Sequence, residues 1–200
     1  MILTRSFICT ILLLLTLSCQ EEKQVSKENV TNAVVPEKPV NNDSVNISNF
    51  KKFRDAIKSG DDKKNKSYFM FPMLNSGLWA LVENQDIETG TKYSDPFTES
   101  DFDKYKDVIF SEDFMASLFS VEPMKLTKSK TYSTLRLKKQ REELELTYWM
   151  QCEYRPADEM ILSLNYEFDD KGEKVETSFI YFFSLDKNGV PTFKKVMLAG

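Results

Sequence analysis

Apolar and polar residues alternate along the last third of the chain. In "LELTYWMQCEY" (144–154) the even positions Leu144, Leu146, Tyr148, Met150, Cys152 and Tyr154 carry the apolar side chains. In "MILSLNYEF" (160–168) the even positions do so again, and in 175–185 the odd positions Val175, Phe179, Tyr181, Phe183 and Leu185 take over. A period of two marks a strand with one buried face. "RPAD", "DDKG" and "DKNG" separate the runs as turns, and a last strand is expected over about 190–198. The change of parity fits an antiparallel meander. With Phe168 opposite Glu173 across the Asp169–Gly172 turn, Leu162 faces Phe179, Ile161 faces Ile180, and both apolar sets share a side. Tyr154 opposite Met160 joins the preceding pair in the same way. Simple counting turns Lys194 inward, which predicts a bulge in the last strand.

Earlier in the chain the period lengthens. "SNFKKFRDAIKSGD" places Phe50, Phe53 and Ile57 on one helical face, with Ser48 as N-cap and Gly60 as the stop. Asp61 or Asp62 caps a short second helix running towards Phe69, and Pro72 disfavours helical geometry at Phe71. "GLWALV" (77–82) reads equally as strand or helix. In "TESDFDKYKDVIF", Thr98 and Asp101 stand at capping-box spacing, and Phe102, Tyr105 and Ile109 share a face. Ser111 caps a further turn or two carrying Phe114 and Leu118. Helices followed by a meander define an α+β fold, with N-terminal helices packed on one face of a curved antiparallel sheet.

The N-terminus has a different texture. Arg5 is its only charge, an apolar run extends from Phe7 to Leu15, and the small Ser18 follows. Residues 1–18 read as a secretory signal, since the run is shorter than the roughly 20 residues of a membrane span. "LTLSC" (15–19) resembles the lipobox of bacterial lipoproteins, although Thr16 stands where that pattern usually has leucine. The resemblance implies that Cys19 becomes the first mature residue, is acylated with palmitate-type chains, and holds the protein to the membrane. It implies the Gram-negative outer membrane; Glu21 and Glu22 resemble a surface-export signal, and the periplasmic and cell-surface sides both stay open. An ordinary signal cut after Ser18 is the rival reading.

Residues 20–47 contain no aromatic residue and are dominated by Asn, Glu, Lys, Val and Pro. Such a segment buries too little to offset its ordering entropy, so 19–47 reads as a lipidated cysteine and disordered tether with a reach on the order of 30 Å. Pairing of "NAVVP" as an edge strand is the alternative. The folded domain is then 48–200. With Cys9 removed and Cys19 blocked, Cys152 is a lone thiol, and the domain must be stable without an internal disulfide.

Composition narrows the chemistry. With 27 basic and 31 acidic residues the net charge is -4, which gives no bulk drive towards nucleic acid. There is no histidine, which removes the commonest general base and a leading metal ligand. No phosphate-binding loop, dinucleotide-type glycine pattern or metal-ligand cluster is present, so no cofactor is implied. The inward strand positions hold tyrosines but no carboxylate, and tyrosine with its ordinary pKa near ~10 is a poor base. Helix-borne Asp55 and Asp101 have surface and cap explanations.

"FRDAIKSGDDKKNKSYFMFP" (53–72) resembles the opening of NTF2-like, or cystatin-like, lipoproteins of unknown function. The likeness extends over about 48–200 as architecture. It implies a sheet wrapped around helices, often with a cone-shaped pocket, on a fold that hosts enzymes, binders and scaffolds alike. Trp79, Tyr148, Tyr166 and Tyr181 are the candidate pocket residues, or else they simply fill the core. Trp149, Ile161, Ile180 and Phe182 lie on the other sheet face and need a cover. A loop from 84–97 or 122–142, a second copy, or an envelope protein partner would supply it. The expected function is a non-catalytic binding or protein-interaction module. An isomerase- or dehydratase-type enzyme and an immunity-type inhibitor are the alternatives. A buried carboxylate beside Tyr148, Tyr166 or Tyr181 in an open pocket would reverse that order.

Overall fold

Six helices precede six strands in the computed structural model, which describes residues 43–200 apart from 75, 86, 143 and 157. The signal segment, Cys19 and the tether as far as residue 42 lie outside the described residues. The helices are α1 (Asp43–Ser59), α2 (Asp62–Lys66), α3 (Ser76–Glu83), α4 (Glu99–Ile109), α5 (Glu112–Phe119) and α6 (Pro123–Ser129). The strands are β1 (Thr131–Ser133), β2 (Leu137–Arg141), β3 (Leu144–Arg155), β4 (Glu159–Asp170), β5 (Glu173–Leu185) and β6 (Pro191–Ala199). They form one open antiparallel sheet in the order β1-β3-β4-β5-β6, with β2 also paired to β3. The architecture is α+β. No helix among the described residues is long and apolar enough to cross a membrane.

Local chemistry accounts for most helix starts. Thr98 and Asp101 form the expected reciprocal capping box on α4. Asp61 caps α2 and Ser111 caps α5, each accepting a backbone N–H three residues on. The ambiguous 77–82 run is helical, as part of α3, and buries Leu78, Trp79, Leu81 and Val82. α1 corrects the expected boundary. It starts at Asp43, so residues 43–47 belong to a helix rather than to the tether, and Ser48 lies inside it rather than capping it. Tertiary ties explain the extra turns. Asp43 pairs with Lys130 at 3.1 Å, and the Asn49 amide donates to the Asn188 carbonyl at 2.6 Å. An acidic first residue also suits the positive end of the helix dipole.

The alternation predicts the buried face of the sheet correctly. Tyr148, Met150, Cys152, Met160, Leu162, Leu164, Phe179, Tyr181 and Phe183 all join the helical residues in one core, and Trp149 and Ile161 lie outside it. β3 and β4 pair with Tyr154 opposite Met160, as expected. The β4–β5 register is two residues from the expected one. Ile161 pairs with Phe182, Ile180 with Ser163, Leu162 with Tyr181 and Phe179 with Leu164. The cause is the turn. Asp170 pairs with Glu173, leaving a two-residue loop in which Lys171 (φ 56) and Gly172 (φ 90) are both left-handed. A slip of two keeps every side chain on its own face, so the buried set is unchanged. The predicted bulge in β6 is present. Phe182 pairs with Lys195 but Phe183 with Phe193, which leaves Lys194 exposed and both Phe193 and Val196 buried.

A second irregularity matters more for the site. β1 and β2 share one edge of β3 but are out of step by one residue: Ser133 pairs with Gln151 and Leu137 with Tyr148. Thr134 mends the ladder at the break. Its N–H donates to the Met150 carbonyl and its hydroxyl accepts from the Met150 N–H, both at 2.9 Å. Leu135 is extruded and 81% exposed. Because side chains alternate, this one-residue shift reverses the faces of β2. Lys139 and Arg141 turn to the helix side, where Lys138 and Gln140 would otherwise point.

Candidate functional site

A cleft of about 550 Å³ opens on the helix-covered face, at the end of the sheet where β2 turns into β3. Its floor comes from Leu144 and Leu146 on β3, Tyr166 and Phe168 on β4, and Thr177 and Phe179 on β5. Lys139 and Arg141 of β2 form one wall. The start of α5, with Ser111, Glu112 and Asp113, forms the wall opposite, and Asn84 and Gln85 after α3 close one side.

Asp113 is the buried charge of this site. Its side chain is 8% exposed, and its Oδ2 accepts from the Lys139 ammonium and, at 3.0 Å, from the Tyr166 hydroxyl. Capping by Ser111 fixes the first turn of α5, and Phe114, wholly buried against Tyr181, anchors the helix to the sheet. Asp113 is thereby aimed at the strands rather than at solvent. Lys139 reaches it only because of the β1–β2 register shift. Each charge offsets the cost of desolvating the other, and the phenol satisfies a further lone pair.

The tyrosines respond to that charge. Burial, and after it the Asp113 carboxylate, push the Tyr166 phenol well above its ordinary value, so it stays protonated and donates. The Tyr148 phenol is raised for the same reasons, with Glu112 adding to the effect. Its ring lies 6.3 Å from that of Tyr166 and 5.8 Å from the Lys139 ammonium.

Of the four expected pocket residues, only Tyr166 lines the cleft. Tyr148 sits just behind it, 9% exposed. Tyr181 is a core residue whose hydroxyl donates to the Ile109 carbonyl at 3.0 Å. Trp79 is also core rather than pocket wall: its ring packs on Phe97 and its indole N–H donates to the Asp95 carbonyl at 2.9 Å. The inward strand positions lack a carboxylate, as read from the sequence, yet the face as a whole does not, because α5 supplies Asp113. Asp55 is exposed, and Asp101 is the third-position partner of Thr98 in the α4 capping box. The signal available in the sequence was the spacing: Asp113 and Ser117 stand one turn apart on α5, each next to an apolar residue of the core face, Phe114 and Leu118.

The outer face carries the four expected interface residues. Trp149 and Ile161 are buried, and Ile180 and Phe182 are half-buried. Part of their cover comes from the 122–142 segment, since the Arg136 guanidinium lies 3.9 Å from the Trp149 ring centre. Lys195 lies over Phe182 at 4.8 Å. A depression nearby is laced by ion pairs of Glu167 with Arg136 at 2.8 Å and with Lys174 at 3.2 Å. Among the described residues no cluster of Asp, Glu and Cys is arranged to hold a metal ion.

Comparison of the chain with protein-family models, curated proteins and solved structures returns no match. The case for function therefore rests on the site.

Proposed function

We propose that the domain binds a small molecule in the cleft beside Asp113, and that it is a lipid-anchored envelope protein of NTF2-like type. One observation carries the binding reading. A buried carboxylate, an ammonium and a phenol are fixed together in the wall of an open cleft with an apolar floor. Pockets of this size with a few convergent polar groups are the usual form of a small-ligand site. A buried ion pair contributes little net stability compared with a hydrophobic replacement, so stability alone is a weak reason for it.

A second reading follows from the same residues. A carboxylate hydrogen-bonded to a phenol in an open cleft is what an acid–base enzyme of the isomerase or dehydratase kind requires. It is also the arrangement expected to reverse the order of binder and enzyme: Asp113 is buried, lies 3.0 Å from the Tyr166 hydroxyl and lines an open cleft. Both readings place a small molecule in the same cleft, and an acid–base role would fall to Asp113 Oδ1, since Oδ2 is already held by Lys139 and Tyr166.

The test is a fragment screen by saturation-transfer NMR on the full chain and its Leu144→Glu variant. Leu144 is 41% exposed at the cleft mouth, so the fold should tolerate the change. Hits lost in the variant support the site. Hits unaffected by the variant, or none at millimolar concentration, contradict it.

Attachment to the membrane is proposed from the "LTLSC" segment (15–19) and Cys19. Palmitate labelling in cells should vanish in Cys19→Ser; labelling that persists contradicts the anchor.

A further inference from the structure

The cleft has a direction, and its direction names a ligand class. Across the β2–β3 hairpin Lys139 pairs with Leu146, and Arg141 pairs with Leu144. Each cation therefore stands beside a leucine on the same face, and the apolar floor continues to Phe168 and Phe179. The column furthest from the apolar strands is the charged one. The two cations differ in what they already hold. Lys139 is neutralised by Asp113, whereas Arg141, two residues along and exposed at the mouth, has no carboxylate partner among the described residues. Glu112, at the first position of α5, and Glu142, in the hairpin turn with φ 52, also border the cleft and are exposed as Arg141 is. Neither belongs to a strand pair with a floor leucine.

We infer that the ligand is an amphipathic anion, a carboxylate or similar acid with an aliphatic or aromatic body. Its acidic head pairs with the Arg141 guanidinium, a planar fork that matches a carboxylate in a bidentate geometry. Its body lies over Leu144 and Leu146 towards Phe168 and Phe179, covering Leu144, whose exposure is then part of the site. The Lys139–Asp113 pair stays closed beneath the head and contributes no net charge. This inference rests on the reading of the cleft as a binding site and adds the sign of the ligand.

Three probes with one tail separate the two claims: laurate, dodecanol and dodecyltrimethylammonium, titrated calorimetrically into the purified full chain below micelle formation. Laurate should bind about tenfold more tightly than either of the others, a gap typical of one charge-assisted pair. Arg141→Gln should remove that advantage, and Arg141→Lys should retain most of it in weaker form. Arg141 is exposed, so neither change threatens the fold. Apolar residues near the N-terminus would bind all three tails alike and would not respond to Arg141. Equal binding of the three, lost in Leu144→Glu, would leave the cleft intact and overturn the anionic assignment. Preference for the ammonium probe would reverse it. Failure of all three to bind in a Leu144-dependent way would contradict the binding reading along with the inference.

Discussion

Tyr166 on β4 donates its phenolic hydrogen to Asp113, 53 residues earlier on α5, at 3.0 Å. The bond joins the helical layer to the sheet at the edge of the cleft, and Lys139 completes it from β2. Removing the partners has unequal costs. Tyr166→Phe loses one hydrogen bond and should destabilise by about 0.5–1.5 kcal/mol. Asp113→Ala leaves Lys139 and the phenol without their acceptor and should cost about 1–3 kcal/mol, since Lys139 is 36% exposed and retains some solvent. Urea denaturation of the two single variants and the double variant gives the coupling. A double variant that equals the sum of the singles would show the contact to be energetically idle.

Alkali should unfold the domain. Burial raises the Tyr154, Tyr166 and Tyr181 phenols and the Cys152 thiol, so the folded chain holds these protons above their ordinary values of 10.0 for tyrosine and 9.0 for cysteine. The unfolded chain releases them at those ordinary values, so it binds fewer protons as the pH rises. The stability they confer is fully present below about pH 9 and is lost as the pH rises through the next units. Phenolate absorbance should rise in two stages, with the late stage coinciding with loss of circular dichroism. A single early stage containing all 8 tyrosines would contradict the buried assignments.

The β4–β5 turn should respond to backbone geometry alone. Gly172 has φ 90, and a methyl group added there would meet open space, so Gly172→Ala introduces strain without a clash. It should cost about 1–2 kcal/mol. Lys171→Gly relieves a non-glycine residue at φ 56 and should be neutral or better. The reverse order in thermal melts would mean that the hairpin uses another turn.

Leu162 is wholly buried between the helices and Tyr181, whereas Ile180 is half-buried on the outer face. Leu162→Ala should therefore cost about 2–5 kcal/mol. Ile180→Ala should cost about 1 kcal/mol or less. Similar losses would show that both faces of the sheet are covered to the same depth.

Much of this fold is legible in the sequence because period-two alternation and caps act locally. The sided burial of Leu162, Phe179 and Tyr181, the Thr98–Asp101 box and the β6 bulge all follow from neighbours within a few residues. The two-residue slip at β4–β5 was not legible by face, since a slip of two leaves the alternation unchanged and only Lys171 and Gly172 distinguish the turns. The first turn of α1 is tied through Asp43 to Lys130, and the second through Asn49 to Asn188, residues far along the chain. The candidate site was half legible. Tyr166 falls on the inward parity of its strand, but Asp113 stands in a first helical turn, where an acidic residue is ordinarily explained by the dipole. Lys139 was hidden by the one-residue break at Thr134–Arg136, which puts β2 on the opposite parity to β1.

The most direct measurement is methyl NMR of leucine-labelled full chain during a laurate titration. Leu144 and Leu146 line the cleft, whereas Leu74, Leu135 and Leu198 are the leucines most exposed elsewhere among the described residues, at 83%, 81% and 48%. A site beside Asp113 predicts saturable shifts at Leu144 and Leu146, with Leu74, Leu135 and Leu198 unmoved. Shifts confined to those three exposed leucines, with Leu144 and Leu146 silent, would contradict the cleft as the place where this protein works.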